Sequence, residues 1–333
     1  MKIVFLGTAE LSCASLDSLV RDKNYTVAAV VTQPDKPKGR ELKLQPSPVK
    51  ALAIKHGLPV LQPARARDEQ FIAQLRALQP ELLVVIAYGH ILPVAILDLP
   101  LHGCLNIHTS LLPAYRGAAP IQWAIANGET ITGVTIMKMD AGLDTGPILA
   151  QRDTPILPED DSAKLHDRLA QIGAELLLHT IPDYAAGKVK PVPQPSIGIS
   201  HAPKIKKEDG HIDWNLPAKT IWNRMRAFTP WPGAFTHMPV KPRVGRGDGE
   251  SGSVAMKPHL LKIWKAEVIE ENPVFKPGEI ISADRCGIIV ACGKNALRIL
   301  ELQREGGRRM GAGEFLAGNP LNRNDTFVGQ GVA

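Results

Sequence analysis

Asn106 and His108, in the run "NIHTSLLPAYRGAAP" (106–120), carry a carboxamide and an imidazole two positions apart at the end of an apolar stretch. Side chains alternate across a strand, so these two emerge on one side and Ile107 on the other. A later apolar run, "GVTIMKM", leads into "DAGLDTGP", which brings Asp140 and Asp144 into a glycine-rich loop at the corresponding sheet edge. Asp144 can then reach His108. An amide, an imidazole and a carboxylate at one edge suit acyl transfer, because an oxyanion needs waiting donors and an amine nucleophile must shed a proton.

Other chemistries lack their residues. Ser110 beside His108 and Asp144 has the composition of a hydrolase triad, but not the GxSxG elbow that exposes and activates the hydroxyl. No HExxH and no paired Cys/His spacing offers a metal centre, so none is expected. The first apolar run ends in "GTAE" rather than GxGxxG, and Gly7 reads as a tight turn instead of a nucleotide cradle. Each candidate also has a plain structural reading: His108 as a satisfied group at a strand end, Asn106 and Asp144 as turn formers.

The elements that position these residues are legible as a pattern. Residues 3–7, 27–32, 82–88, 103–108 and 133–139 are short runs rich in β-branched residues, and helix-like segments near 10–21, 46–56, 68–78 and 118–127 separate them. The alternation predicts a Rossmann-like α/β domain whose mostly parallel sheet is covered on both faces, with ligands beyond the carboxyl ends of its strands. An amphipathic stretch, 162–187, has Leu165, Leu169, Ile172 and Leu176 at helical spacing. "VKPVPQPSIGIS" follows, too rich in proline to continue a helix, and reads as an extended linker. This predicts a first domain over 1–189, a linker over 190–207 and a second domain over 208–333. In the latter, "VFKPGEIISAD", "GIIVACG" and "ALRILELQ" look like strands of a small antiparallel, oligonucleotide-binding-like barrel. The tryptophans at 214, 222 and 231 read as core or contact residues, and "KPRVGRGDGESGS" (241–253) as an excursion without assigned function.

Composition bounds the setting. A chain of 333 residues with 44% hydrophobic side chains can build two cores. No apolar run reaches the roughly 18–20 residues of a membrane-spanning helix. Polar residues interrupt "MKIVFLGTAE" too early for a secretory signal, so a cytoplasmic, membrane-free monomer is expected. Cys13, Cys104, Cys286 and Cys292 have no framework spacing and read as buried thiols of a reducing compartment. The net charge of +6 is asymmetric: residues 1–190 hold 19 basic and 19 acidic side chains, and 191–333 hold 20 and 14. That asymmetry points to an anionic partner, nucleic acid first.

The runs "NIHTSLLPAYRGAAPIQWAI" and "GVTIMKMDAGLDTGPIL" resemble the signature of the folate-dependent formyltransferases, and the likeness extends over essentially the whole chain. "TQPDKPKGRELKLQPSPVK" (32–50), "ELLVVIAYGHILP" (81–93) and "IDWNLPAKTIWNRMRAFTPWPGAF" (212–235) are similar to the branch that acts on transfer RNA. The resemblance implies that 10-formyltetrahydrofolate donates its formyl group to the α-amine of methionine esterified to initiator tRNA, releasing tetrahydrofolate. It implies catalytic roles for Asn106, His108 and Asp144, and folate contacts from the turn Ser110, Leu111, Leu112 and Pro113 and the strand end Ile86, Ala87 and Tyr88. Thr109 stands where the family has a smaller residue. Because it alternates away from the Asn106 and His108 side, little effect is expected.

For the RNA, Lys36, Lys38, Arg40 and Lys43 form a basic stretch after the second strand, expected to clamp an acceptor stem. Lys206, Lys207 and Arg304 extend the positive charge in the second domain. A formyltransferase for a small amine, such as an amino-sugar nucleotide, and a non-catalytic folate- or tRNA-binding protein remain the alternatives. The basic stretch disfavours the first, and the Asn106, His108 and Asp144 set disfavours the second.

Overall fold

The computed structural model describes residues 1–38, 43–238, 259–271 and 273–328. The chain divides into two compact units: residues 1–121, 130–158 and 164–204 form the first, and 122–129, 159–163 and 205 onward form the second.

In the first unit, β1 (Lys2–Gly7), a 3-10 turn, α1 (Cys13–Arg21), β2 (Thr26–Val31), β3 (Lys36–Lys38), β4 (Lys43–Gln45) and α2 (Pro48–Lys55) come in turn. Next are β5 (Val60–Leu61), α3 (Glu69–Leu78), β6 (Leu82–Ile86), α4 (Val94–Leu97), β7 (Cys104–His108) and β8 (Arg116–Gly117). After α5 (Pro120–Ala126), most of which belongs to the second unit, come β9 (Ile131–Lys138), β10 (Ile148–Pro155), α6 (Ser162–Ala185) and β11 (His201–Ala202). The main sheet has the order β10-β9-β7-β6-β1-β2-β5. Its five strands from β5 to β7 run parallel, while β9 and β10 add on antiparallel. The mostly parallel sheet expected from the sequence is present.

Local chemistry accounts for the elements. All five residues of β6 are buried, as a strand covered on both faces requires. Asp68 caps α3 by accepting from the amides of Gln70 and Phe71, and Ser47 caps α2 ahead of Pro48. Residue 173 of α6 is glycine because a Cβ there would stand 3.0 Å from Cγ2 of Ile107. The chain leaves β1 toward β2 and β5, then returns on the other side to β6 and β7. The topological switch therefore lies between β1 and β6, where such sheets bind ligands.

β10 had not been expected. As an edge strand with the polar run "ILAQRDTP", it lacks the apolar signature of the interior. The segment read as a linker is extended, and its part up to residue 204 belongs to the first unit, tied down near residues 192–194 and 200–202. Val192 and Ile148 exchange both backbone hydrogen bonds, Ser200 accepts from the Tyr115 amide through its Oγ, and β11 pairs with β8.

The second unit contains α7 (Ala218–Ala227), β12 (Ala234–His237), β13 (Leu260–Ile269), β14 (Ile280–Asp284), β15 (Gly287–Ala291), β16 (Ala296–Arg304), β17 (Met310–Gly311) and α8 (Ala312–Gly318). Its antiparallel sheet has the order β12-β13-β16-β15-β14, with β17 on β16. The tail closes it, Thr326 bridging to Glu279 and Val328 to His237. Both free edges are thus covered. Trp214, Leu261, Ile280, Leu297 and Phe315 fill the interior.

Two expectations need correction. Trp214 is core, with its Nε1 donating to Thr236 Oγ1. Trp222 is partly buried, with its Nε1 on the Ala266 carbonyl. Trp231 is 58% exposed, however, because the flanking prolines carry it on a turn outside the core. Of the thiols, Cys104 and Cys292 are buried, Cys13 is half-buried, and Cys286 is exposed in the tight turn between β14 and β15. Among the described residues, no helix is long and apolar enough to cross a membrane.

Candidate active site

Strand β7 ends in Asn106, Ile107 and His108, and the loop after β9 carries Asp144 back over it. Oδ1 of Asp144 lies 3.5 Å from Asn106 Nδ2, and its Oδ2 lies 3.6 Å from His108 Nδ1. Nε2 of His108 is 2.9 Å from the Tyr115 carbonyl. A carbonyl only accepts, so Nε2 carries a hydrogen. Nδ1 faces the Asp144 carboxylate beyond hydrogen-bond length. Asp144 is held in turn: its Oδ2 accepts the Gly117 amide at 2.9 Å, and its own carbonyl accepts from Gln194 Nε2 at 2.8 Å.

These loops store strain where they meet. Ala87, Tyr115 and Asp144 adopt φ of +44°, +61° and +53°, in the left-handed region that costs a side-chain-bearing residue about 1–3 kcal/mol. An aspartate tolerates it best. Asp140 braces its loop by accepting from the Gly142 amide and the Thr145 hydroxyl.

Together these segments line a cavity of about 510 Å³, large enough for a small ligand. Residues 87–92 follow β6 and 106–109 end β7, at the carboxyl ends of parallel strands, whereas 139–144 follow the antiparallel β9, whose end pairs with the start of β7, and reach back over the sheet to the site. Tyr88 Oη and His90 Nδ1 are buried without hydrogen-bond partners. Burial pushes the Tyr88 phenol up to about 12, so it stays a neutral donor.

The sequence-derived folate residues divide. Ala87 and Tyr88 line the cavity, whereas Ile86 and the turn Ser110, Leu111, Leu112 and Pro113 do not. Ser110 instead donates to the Ala114 carbonyl, and its own carbonyl accepts from Thr135 Oγ1. Thr109 was expected to point away from the site, yet it lines the cavity, because strand alternation ends with β7 at His108. Tyr115, Gly117 and Gln194 were not foreseen as partners of the site. Their signal is positional, Tyr115 and Gly117 lying inside the same motif, while nothing marks Gln194.

The basic stretch begins beside the cavity. Gln33 Nε2 donates to the Tyr88 carbonyl, and Lys36 Nζ donates to Gln33 Oε1 at 2.6 Å. Arg40 and the side chains of Lys38 and Lys43 lie outside the described residues, as does the 241–253 excursion. Lys206 and Lys207 are exposed in the second unit, where Arg304 donates to Asn319 Oδ1 at 2.9 Å.

Comparison with known proteins shows the family of the chain. The family model described as "Formyl transferase" matches residues 1–181, and "Formyl transferase, C-terminal domain" matches 204–320. The chain is 48% identical over 320 residues to a methionyl-tRNA formyltransferase from Trichlorobacter lovleyi, covering 96% of this chain and 95% of that one. It is likewise 48% identical over 322 residues to the methionyl-tRNA formyltransferase of Caldanaerobacter subterraneus, at 96% and 98% coverage. Among solved structures, the fold is similar to an N-formyltransferase from Helicobacter canadensis in complex with folinic acid and dTDP-3-aminofucose. That likeness has a TM-score of 0.60 at 18% identity over 90% of this chain and 99% of that one. HypX from Aquifex aeolicus in complex with tetrahydrofolic acid matches with a TM-score of 0.57 at 19% identity, over 98% of this chain and 50% of that one. The chain belongs to the formyl transferase family, among its methionyl-tRNA formyltransferases.

Proposed function

We propose that this protein transfers the formyl group of 10-formyltetrahydrofolate to the α-amine of methionine esterified to initiator tRNA, for translation initiation in the cytoplasm. The observation that carries the chemistry is the meeting of Asn106, His108 and Asp144 at one wall of the 510 Å³ cavity. The unpartnered Tyr88 Oη and His90 Nδ1 fit a folate ring system rich in donors and acceptors.

The neutral amine attacks the formyl carbon, whose oxygen gains negative charge. Asn106 Nδ2 supplies one donor there, and Nδ1 of a cationic His108 supplies a second as the charge develops; removal of one such donor typically costs about 100- to 1,000-fold in turnover. Nε2 is already engaged by Tyr115, which fixes the ring's orientation. Asp144 takes the proton of the amine, directly or through water. As the bond from the formyl carbon to folate nitrogen breaks, that nitrogen receives a proton. Carbon, nitrogen and proton balance with no change of oxidation state, so the reading calls for no metal. The contacts of 3.5 and 3.6 Å leave room to tighten around a substrate.

Lys36, joined through Gln33 to the cavity-lining Tyr88, with Lys38, Arg40 and Lys43 after it, supports RNA as the carrier of the amine, and Lys206, Lys207 and Arg304 add phosphate contacts. The deciding assay offers charged initiator tRNA, charged elongator tRNA and amino-sugar nucleotides side by side. Formylation of the initiator alone is expected; preference for the small amine would move the activity to the sugar branch.

A further inference from the structure

We infer that Gln194 is a positioning residue that sets the carboxylate of Asp144, an inference that rests on the reaction proposed above. Gln194 lies in the proline-rich stretch that composition marks as a linker, and its amide is saturated with hydrogen bonds. Oε1 accepts from Arg116 Nε at 3.0 Å and Nη2 at 2.6 Å. Nε2 donates to the Asp144 carbonyl and the Gly146 carbonyl, both at 2.8 Å. Arg116 only donates and the two carbonyls only accept, so one orientation of the amide satisfies the set.

The consequence reaches both sides of the site. Arg116 lies between Tyr115, whose carbonyl orients His108, and Gly117, whose amide holds Asp144 Oδ2. The far side of the amide grips the backbone of Asp144 at a strained φ of +53°. Gln194 therefore links the loop that aims the imidazole to the loop that carries the carboxylate. The rest of the stretch anchors it, through Val192 on Ile148 and Ser200 on Tyr115. A glutamate at 194 keeps the shape and the Arg116 contact but turns an oxygen toward two carbonyls, which repel it.

The test uses the full chain. Gln194→Glu is expected to lower kcat about 10- to 100-fold with KM for both substrates within about twofold, the pattern of misplacement rather than lost binding. Gln194→Asn, too short to span both loops, should not restore the rate. Combined with Asp144→Asn, Gln194→Glu should add almost nothing, because both act through one carboxylate. Hydrogen exchange in a peptide spanning 139–148 should quicken in Gln194→Glu while that of β6 is unchanged. A wild-type kcat, or losses that multiply in the double variant, would overturn the positioning role. If the wild-type chain transfers no formyl group, the reaction reading fails separately, and the exchange result alone decides whether Gln194 holds the Asp144 loop.

Discussion

Nδ1 of His108 stands 3.6 Å from Oδ2 of Asp144, although the two residues are 36 positions apart in the chain and sit on different strand ends. Both have little exposure, 6% and 13% of their side chains, so the pair interacts in a medium where a charge is felt more strongly than in water. A carboxylate so enclosed would be costly without contacts, and that of Asp144 accepts from Asn106 Nδ2 and the Gly117 amide while Gln194 holds its backbone carbonyl.

Asp144→Asn should lower formyl transfer by about 100- to 10,000-fold, the range of general acid–base help, with tRNA affinity retained. Single-turnover rates and filter binding measure the two separately. Near-normal turnover would remove the carboxylate from the chemistry.

Asn106→Ala removes one donor from the oxyanion wall without touching charge. A drop of about 100- to 1,000-fold in kcat is expected, with little change in the affinity for tetrahydrofolate. An equal loss in folate binding would show that Asn106 holds the ground state instead.

Lys36→Ala and Arg40→Ala should weaken the use of charged tRNA, each flattening the slope of log affinity against log salt by about one. For Arg40, outside the described residues, charge alone carries the expectation. Steady-state kinetics between low and moderate salt report it, and an unaltered slope would place these cations away from phosphate.

The thiols differ by environment. Burial pushes Cys13 up to about 11 and Cys104 and Cys292 to about 12, Glu10 and Asp17 adding to the first. At pH 8, a maleimide should label one thiol quickly, Cys286, which is exposed. Because the folded state binds these protons more tightly, the stability they contribute is full below the unfolded value near 9 and is lost as pH rises toward 11–12. A second fast-labelling cysteine, or a denaturant midpoint flat above pH 9, would contradict the burial argument.

The tryptophans provide a stability contrast. Trp214→Ala opens a cavity in the barrel core and removes the donor to Thr236 Oγ1, which keeps its own bond to the Val328 carbonyl, and should cost about 3–5 kcal/mol. Trp231→Ala should fall within about 0.5 kcal/mol of wild type, as for an exposed surface position. Urea melts compare them; a large loss at 231 would mean that its ring is covered in solution.

Periodicity alone revealed the interior strands, because residues buried on both faces must be apolar: β1, β2, β6, β7 and all but the start of β9 stand out in the bare sequence. It also placed Asn106 and His108 on one side, since alternation along a strand is a local rule. The polar edge strand β10 has no such constraint and was invisible, and the rule lapsed one residue past β7, where Thr109 turns into the cavity. Contacts between distant segments carry no periodic mark. The amide of Gly117 on Asp144, the carbonyl of Tyr115 on His108 and the four bonds of Gln194 arise only once the loops are folded together. Closure of the barrel by Thr326 and Val328 is likewise a matter of which edges meet. Residue types and spacing therefore determined the chemistry available to this chain, and the tertiary structure decided which groups hold it in register, because hydrogen bonding between loops depends on distance in space and not on order along the chain.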